Sequence, residues 1–275
     1  MNLIFGPCPE RNLHMHASPD FISIIMPAYN AERTISVSIN SVISQTWQDW
    51  ELIIIDDCST DRTAHIICKY ESSDTRIRHI RNSQNSGVAS SRNTGLLQAQ
   101  GVWIAFLDSD DCWEPNKLAL QLDFAHHMQA NFTFTGSAFM DQDGRRLSHQ
   151  LNVPLEVTFH QLLKQNIISC SSVLVRTELM LRYPMGADHM HEDFAVWLQI
   201  LRDNRLKAYG LNQPLLIYRL SASSKSGNKL KAARMTFRVY RYIGLSYPSA
   251  FYYWCWYTVR SLSKYRKIKQ FGLAQ

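Results

Sequence analysis

The chain has 275 residues, 45% hydrophobic and 19% charged, which suffices for one large domain with a sizeable core and excludes disorder by composition. Net charge is +6 but uneven: fourteen Lys and Arg and no acidic residue follow Asp203, so residues 1–203 carry fifteen cations against twenty-three carboxylates, and the basic end needs a partner of its own. None of the six cysteines forms a C-x-x-C pair, which argues against a structural zinc site or disulfide framework and for a reducing compartment.

Residues 1–20 hold an apolar run too short for a secretory signal and are expected as an arm. Residues 21–26 (FISIIM) predict a buried strand that ends in turn chemistry at Pro27-Ala28-Tyr29-Asn30. Helical spacing follows over 34–43, then a second buried strand over 51–55 (ELIII) ending in Asp56-Asp57. Ser59, Thr60 and Asp61 are cap candidates for a helix to about Tyr70. A short strand is expected over 77–80, and a helix opened by Asn85-Ser86-Gly87 that reaches about Gln98, with Gly101 as its stop. The strand over 102–107 runs into Asp108-Ser109-Asp110-Asp111; a helix from Pro115 and a strand over 131–140 come next. This alternation predicts an α/β fold with a doubly wound, mostly parallel sheet, whose ligands bind beyond the strands' carboxyl ends. Residues 27–30, 56–57 and 108–111 all fall there. Further on, helices are expected over 159–166 and 192–202, and a strand pair over 206–211 and 214–220 about Asn212-Gln213.

Three carboxylates within four residues at the end of an apolar strand repel one another unless a cation joins them. Asp108, Ser109, Asp110 and Asp111 offer hard oxygen ligands, and Mg²⁺ or Mn²⁺ suits one or two carboxylates together with substrate phosphates. Alone, the pattern also fits a solvated acidic turn that caps the next helix. No G-x-G-x-x-G follows the first strand and there is no P-loop, which disfavours a dinucleotide or P-loop nucleotide site. A carboxylate of the pair Asp56-Asp57 can accept from a base N–H or a ribose hydroxyl, or cap the next turn.

The stretches SIIMPAYNAERTISVSINSVISQTWQDWELIIIDDCSTDRT, NSGVASSRNTGLLQAQGVWIAFLDSDD and HEDFAVWLQIL together resemble the family-2 inverting glycosyltransferases of the GT-A fold, over roughly residues 20–200. The resemblance implies a catalytic domain over 21–220, with a nucleotide half to about 115 and an acceptor half after it. It implies that Pro27, Ala28, Tyr29 and Glu32 line the nucleotide pocket, that Asp57 holds the uracil edge, and that Asn85, Gly87 and Arg92 close over the nucleotide. Asp110 would contact ribose and bind the metal with Asp111, Asp108 supporting them. Asp193, with Glu192 beside it, matches the family's catalytic base. Inversion by single displacement needs one carboxylate to take the acceptor hydroxyl's proton, across the sugar from the leaving diphosphate. A helix N-terminus favours the ionised carboxylate that such a base requires.

At the end of the last strand and beyond it, Arg219 and Lys225 are candidates to fold over the diphosphate. Residues 221–275 form a basic, aromatic, helical extension in which 242–259 carry no charge. Pro248 and the many Ser and Tyr make a spanning helix unexpected; Tyr, Trp and cations suit the surface of an anionic membrane. The extension is read as a peripheral anchor, a lid packed on the body, or both. It resembles that of bacterial enzymes extending O-antigen units on polyprenyl-diphosphate sugars. The implied partners are a UDP-sugar, a lipid-linked saccharide and the inner membrane's cytoplasmic face; nucleic acid is not expected, since the acidic sheet edge repels phosphate. The competing reading is an inactive GT-A-like protein that binds membrane. A processive synthase is disfavoured, because Gln199-Ile200-Leu201-Arg202 is followed by Asp203 instead of Trp.

Overall fold

A computed structural model describes residues 18–186, 190–220 and 229–272. Its first half runs β1 (Ile22–Ala28), α1 (Ile35–Ile43), β2 (Trp50–Asp56), α2 (Thr63–Ser73), β3 (Ile77–Arg81), α3 (Val88–Gln98) and β4 (Trp103–Phe106). The chain continues through β5 (Cys112–Trp113), α4 (Lys117–His127), β6 (Phe132–Met140), β7 (Arg146–Leu151), β8 (Glu156–Val157) and α5 (Phe159–Lys164). It ends with β9 (Leu174–Arg176), α6 (Thr177–Arg182), α7 (Glu192–Asp203), β10 (Ala208–Arg219), α8 (Lys229–Tyr242) and α9 (Tyr247–Gly272).

The sheet order is β3-β2-β1-β4-β9-β6-β10-β5, with β7 on β6 and β8 on β10. Strands β1 to β4, β6 and β10 point one way; β5, β7, β8 and β9 oppose them. The mostly parallel sheet is therefore present; of its antiparallel members β5 follows the acidic turn, and β7, β8 and β9 lie after residue 145. All seven residues of β1 are buried, as a central parallel strand covered on both faces requires. Its side chains alternate: Ile25 packs in the layer of α3 and α7, while Ile22, Ile24 and Met26 pack in the layer of α1 and α4.

Two expectations are corrected. The strand pair about Asn212-Gln213 is one long strand: β10 runs parallel to β6 throughout, and its register slips between Leu211 and Leu216. Asn212 and Pro214 lie in that irregularity, where proline's missing N–H costs no ladder bond, and Asn212 Oδ1 accepts from Val153 N–H at 2.9 Å. The second correction concerns Ser59 and Thr60, which do not cap α2 but hold the β1–α1 loop; Asp61 does both, accepting the helix's first N–H, from Thr63, at 2.9 Å.

Helix α7 buries eight of its twelve residues, and Trp197 packs on Phe132 with ring centroids 5.0 Å apart. That packing sets the helix N-terminus beside the carboxyl end of β4. Helix α8 lies against α7, and α9 against α8 and α5. Val239, Tyr240, Ile243 and Ala250 join the same core as α7, and Tyr240 Oη donates to the Leu163 carbonyl at 2.6 Å. Tyr247, Phe251, Tyr252, Trp256 and Val259 remain exposed. Among the described residues, no helix is long and apolar enough to cross a membrane.

Candidate active site

Strands β2, β1 and β4 are parallel neighbours, so the loops after Ala28, Asp56 and Phe106 emerge side by side. Pro27 and Ala28 are the last residues of β1, not a turn, and both are buried; the chain leaves the sheet at Tyr29, which is 50% exposed. Asn30 takes a left-handed conformation (φ 49°), donates its N–H to Ser59 Oγ at 3.0 Å and accepts Thr60 N–H on Oδ1 at 2.9 Å. Glu32 accepts Arg62 N–H at 3.1 Å and donates its own N–H to Asp61 at 3.1 Å. The two loops are thus stitched into one wall.

Asp57 is buried, and its carboxylate accepts from Asn82 Nδ2 (2.7 Å), Ser86 N–H (2.9 Å) and Gly87 N–H (2.7 Å). Gly87 has φ 86°, a conformation open to glycine, and this lets residues 86 and 87 turn both amides onto the carboxylate. A carboxylate has about four acceptor directions, so Asp57 keeps roughly one for a ligand N–H. Asn85, beside these donors, is exposed.

The acidic turn sits between the ends of β4 and β10. Asp111 is 1% exposed; its Oδ1 accepts Arg219 N–H at 3.0 Å, and its Oδ2 is buried without a hydrogen bond. Burial and the neighbouring charges of Asp110 and Asp108 push the Asp111 carboxyl well above the usual range. Burial, then the Asp108 charge, push Asp110 up to about 6. The unbonded buried oxygen of Asp111, and the raised Asp111 and Asp110 carboxyls, are what a bound cation would satisfy, so these residues fit a divalent ion. The acids do not form a cage by themselves. Among the described residues the one trio with converging donor atoms is Cys68, Glu71 and His79, on the surface at α2 and β3. An ion at the acidic turn would draw its remaining ligands from a diphosphate.

Arg92 is 4% exposed and donates to Asp108 Oδ1 at 2.6 Å and to Glu192 Oε1 at 3.1 Å. The charges of Asp108, Glu192 and Asp193 hold its guanidinium protonated despite burial. One side chain from α3 therefore ties the acidic turn to the first turn of α7, a hundred residues along the chain. Glu192 is buried in that pair, whereas Asp193 is only partly buried and accepts Phe194 N–H at 2.7 Å. Asn93 fixes the approach to α7, exchanging two hydrogen bonds with the Met185 backbone (2.8 and 2.9 Å).

Arg219 reaches the site in another way than expected. Its guanidinium donates to the carbonyls of Asp110 (2.9 Å), Gln142 (3.0 Å) and Asp141 (3.3 Å), so it braces the acidic turn from beneath. Lys225 lies outside the described residues. Ser109 is half-buried in the turn. Ser171 was missed: its Oγ accepts Asp108 N–H at 3.1 Å and its carbonyl accepts Trp113 Nε1–H at 2.7 Å. The signal was serine inside the apolar run 168–175.

The sheet and the acidic carboxyl edge define a GT-A fold. The chain is similar to S. aureus TarS, whose crystal structure in complex with UDP-GlcNAc matches 84% of this chain and 69% of that one, at TM-score 0.66 and 22% identity. Residues 23–180 match the family described as Glycosyl transferase family 2, and the chain belongs to that family. It is 42% identical to the putative teichuronic acid biosynthesis glycosyltransferase TuaG of Bacillus subtilis over 81% of this chain and 88% of that protein. It is 40% identical to the UDP-Glc:alpha-D-GlcNAc-diphosphoundecaprenol beta-1,3-glucosyltransferase WfgD of Escherichia coli over 76% of this chain and 81% of that one.

Proposed function

We propose that this glycosyltransferase is metal-dependent and inverting, and moves a hexose or N-acetylhexosamine from a UDP-sugar to a polyprenyl-diphosphate-linked saccharide in bacterial surface polysaccharide (O-antigen) synthesis. The carrying observation is the Arg92 bridge, which joins the acidic turn and the Glu192-Asp193 helix start on two sides of one edge. The named activity of a 40% identical relative supports the donor and acceptor classes.

Asp57 and the wall of Pro27, Ala28, Tyr29 and Glu32 would seat the nucleotide, and Asp110 the ribose. Asp110 and Asp111 would hold Mn²⁺ or Mg²⁺, which neutralises charge on a leaving diphosphate. Asp193 takes the proton of the acceptor hydroxyl as that oxygen bonds to the anomeric carbon and the bond to the diphosphate breaks, releasing UDP. It stands in the first turn of α7, at the positive end of the helix dipole, where a negative charge is favoured. Arg92 is a positioning residue, since both terminal nitrogens are engaged by carboxylates. Residues 221–275 would hold the enzyme at the cytoplasmic face of the inner membrane, where each cation near the surface contributes about 1 kcal/mol.

The test is transfer from a panel of UDP-sugars to a lipid-diphosphate saccharide, with Mn²⁺ and with chelator. Asp193→Asn should lower turnover at least about a hundredfold, as loss of a general base does, and leave UDP binding intact. Normal transfer by Asp193→Asn refutes the base; no turnover with any donor, while vesicle binding persists, favours the inactive membrane-binding protein.

A further inference from the structure

Met190, three residues before the proposed base, lines an open hollow of about 700 Å³ together with Phe237, Arg238, Arg241, Tyr242 and Tyr247. A second hollow of about 400 Å³ shares Phe237 and Arg238 and continues past Arg234, Phe251 and Trp254. We propose that the first cavity binds the diphosphate of the polyprenyl acceptor and the second its first isoprene units. This rests on the acceptor reading above and assigns it a site.

Three observations support it. The first is position: Met190 precedes the His191 N-cap of α7, two residues short of Glu192-Asp193, and His191 Nε2 lies 3.4 Å from the Ala232 carbonyl of α8. An acceptor whose diphosphate sat on α8 would have its sugar next to Asp193. The second is charge. Arg238 and Arg241 are three residues apart on α8 and so share a face. The Arg241 guanidinium is held 3.8 Å over the Tyr247 ring and donates to the Leu245 carbonyl, a fixed fork of the kind that recognises phosphate. Helices α8 and α9 contain no Asp or Glu of their own. The third is the lining, which apart from the arginines and Met190 is aromatic and includes the exposed Tyr247 and Phe251 of α9, a helix that also exposes Tyr252 and Trp256. An anionic head joined to a branched hydrocarbon chain matches that sequence of surfaces.

The experiment measures binding of farnesyl diphosphate, inorganic diphosphate and farnesol to the full chain by calorimetry, with UDP and Mn²⁺ in parallel and anionic phospholipid vesicles as competitor. Farnesyl diphosphate should bind at least about tenfold tighter than either fragment. The double variant R238Q/R241Q should weaken it about tenfold or more, the scale of a lost charge-assisted hydrogen bond, and leave UDP binding unchanged. Arg238→Gln alone, which keeps the Arg241–Tyr247 stack, is the second variant should the double one lose UDP as well. Equal affinity in wild type and variants, inorganic diphosphate binding as tightly as the farnesyl compound, or full displacement by phospholipid vesicles overturns the proposal. Failure of the wild type to bind UDP would instead overturn the transferase reading itself.

Discussion

Arg92 is the residue on which the geometry turns. Removing one partner of a buried ion pair costs about 3 kcal/mol or more, so Arg92→Leu should lose that much stability in urea unfolding and abolish transfer even where folding is rescued at low temperature. Unchanged stability would show that the bridge to Asp108 and Glu192 is dispensable. Lys117 offers a pH test. It is fully buried, donates to Gln121 Oε1 at 2.8 Å and lies 4.1 Å from the Trp113 ring; burial pushes its ammonium down to about 7. An unfolded lysine loses its proton near pH ~10.4. Between about pH 7 and 10 the unfolded state therefore binds more protons, so this residue makes stability rise with pH across that window and contributes no slope below it. Lys117→Met should flatten the rise between pH ~7 and ~9.5 in urea titrations; an identical slope in the variant would contradict the burial argument. The carboxylates at strand ends were legible in the sequence because charge there conflicts with the apolar run before it. The partners of Arg92 and Arg219 were not, because each closes a contact about a hundred residues away that no local spacing reports.

Among the elements, hydrophobic runs located β1, β2, β4, α1 and α7 to within a few residues, since each is defined by its own burial pattern. Short antiparallel strands such as β8 and β9 have two or three residues and take their identity from a neighbour. Gly101 shows a different limit. The sequence ends the helix at about Gln98 with Gly101 as its stop, and α3 does end at Gln98; what no local pattern reports is that a Cβ on Gly101 would meet Ser23 N at 2.5 Å and the Phe21 carbonyl oxygen at 2.8 Å. The glycine is required by the close approach of two backbones at the entrance to β1. Gly101→Ala should destabilise by about 2 kcal/mol, the scale of overpacking, measured by urea unfolding; a neutral substitution would mean that the turn moves freely.

At the scale of the whole molecule, the unequal charge distribution read from composition corresponds to a body that sets Asp57, Asp108, Asp110 and Asp111 at one sheet edge and to helices α8 and α9 that pack on it while exposing Tyr247, Phe251, Tyr252 and Trp256. Co-sedimentation should show binding to anionic vesicles that falls with salt and is weak on zwitterionic ones. Tyr252→Ser with Trp256→Ser should reduce it several-fold, as loss of interfacial aromatics does. Equal binding to both vesicle types would remove the anionic-surface claim. The central claim is that Asp57, Asp110 and Asp111 form a nucleotide site completed by a cation. Calorimetric titration of UDP with Mn²⁺ and with EDTA tests it most directly. Wild type should bind at least about tenfold tighter with Mn²⁺, and Asp111→Asn should bind as weakly in both buffers as wild type does in EDTA; equal wild-type affinity with and without the ion would contradict the account.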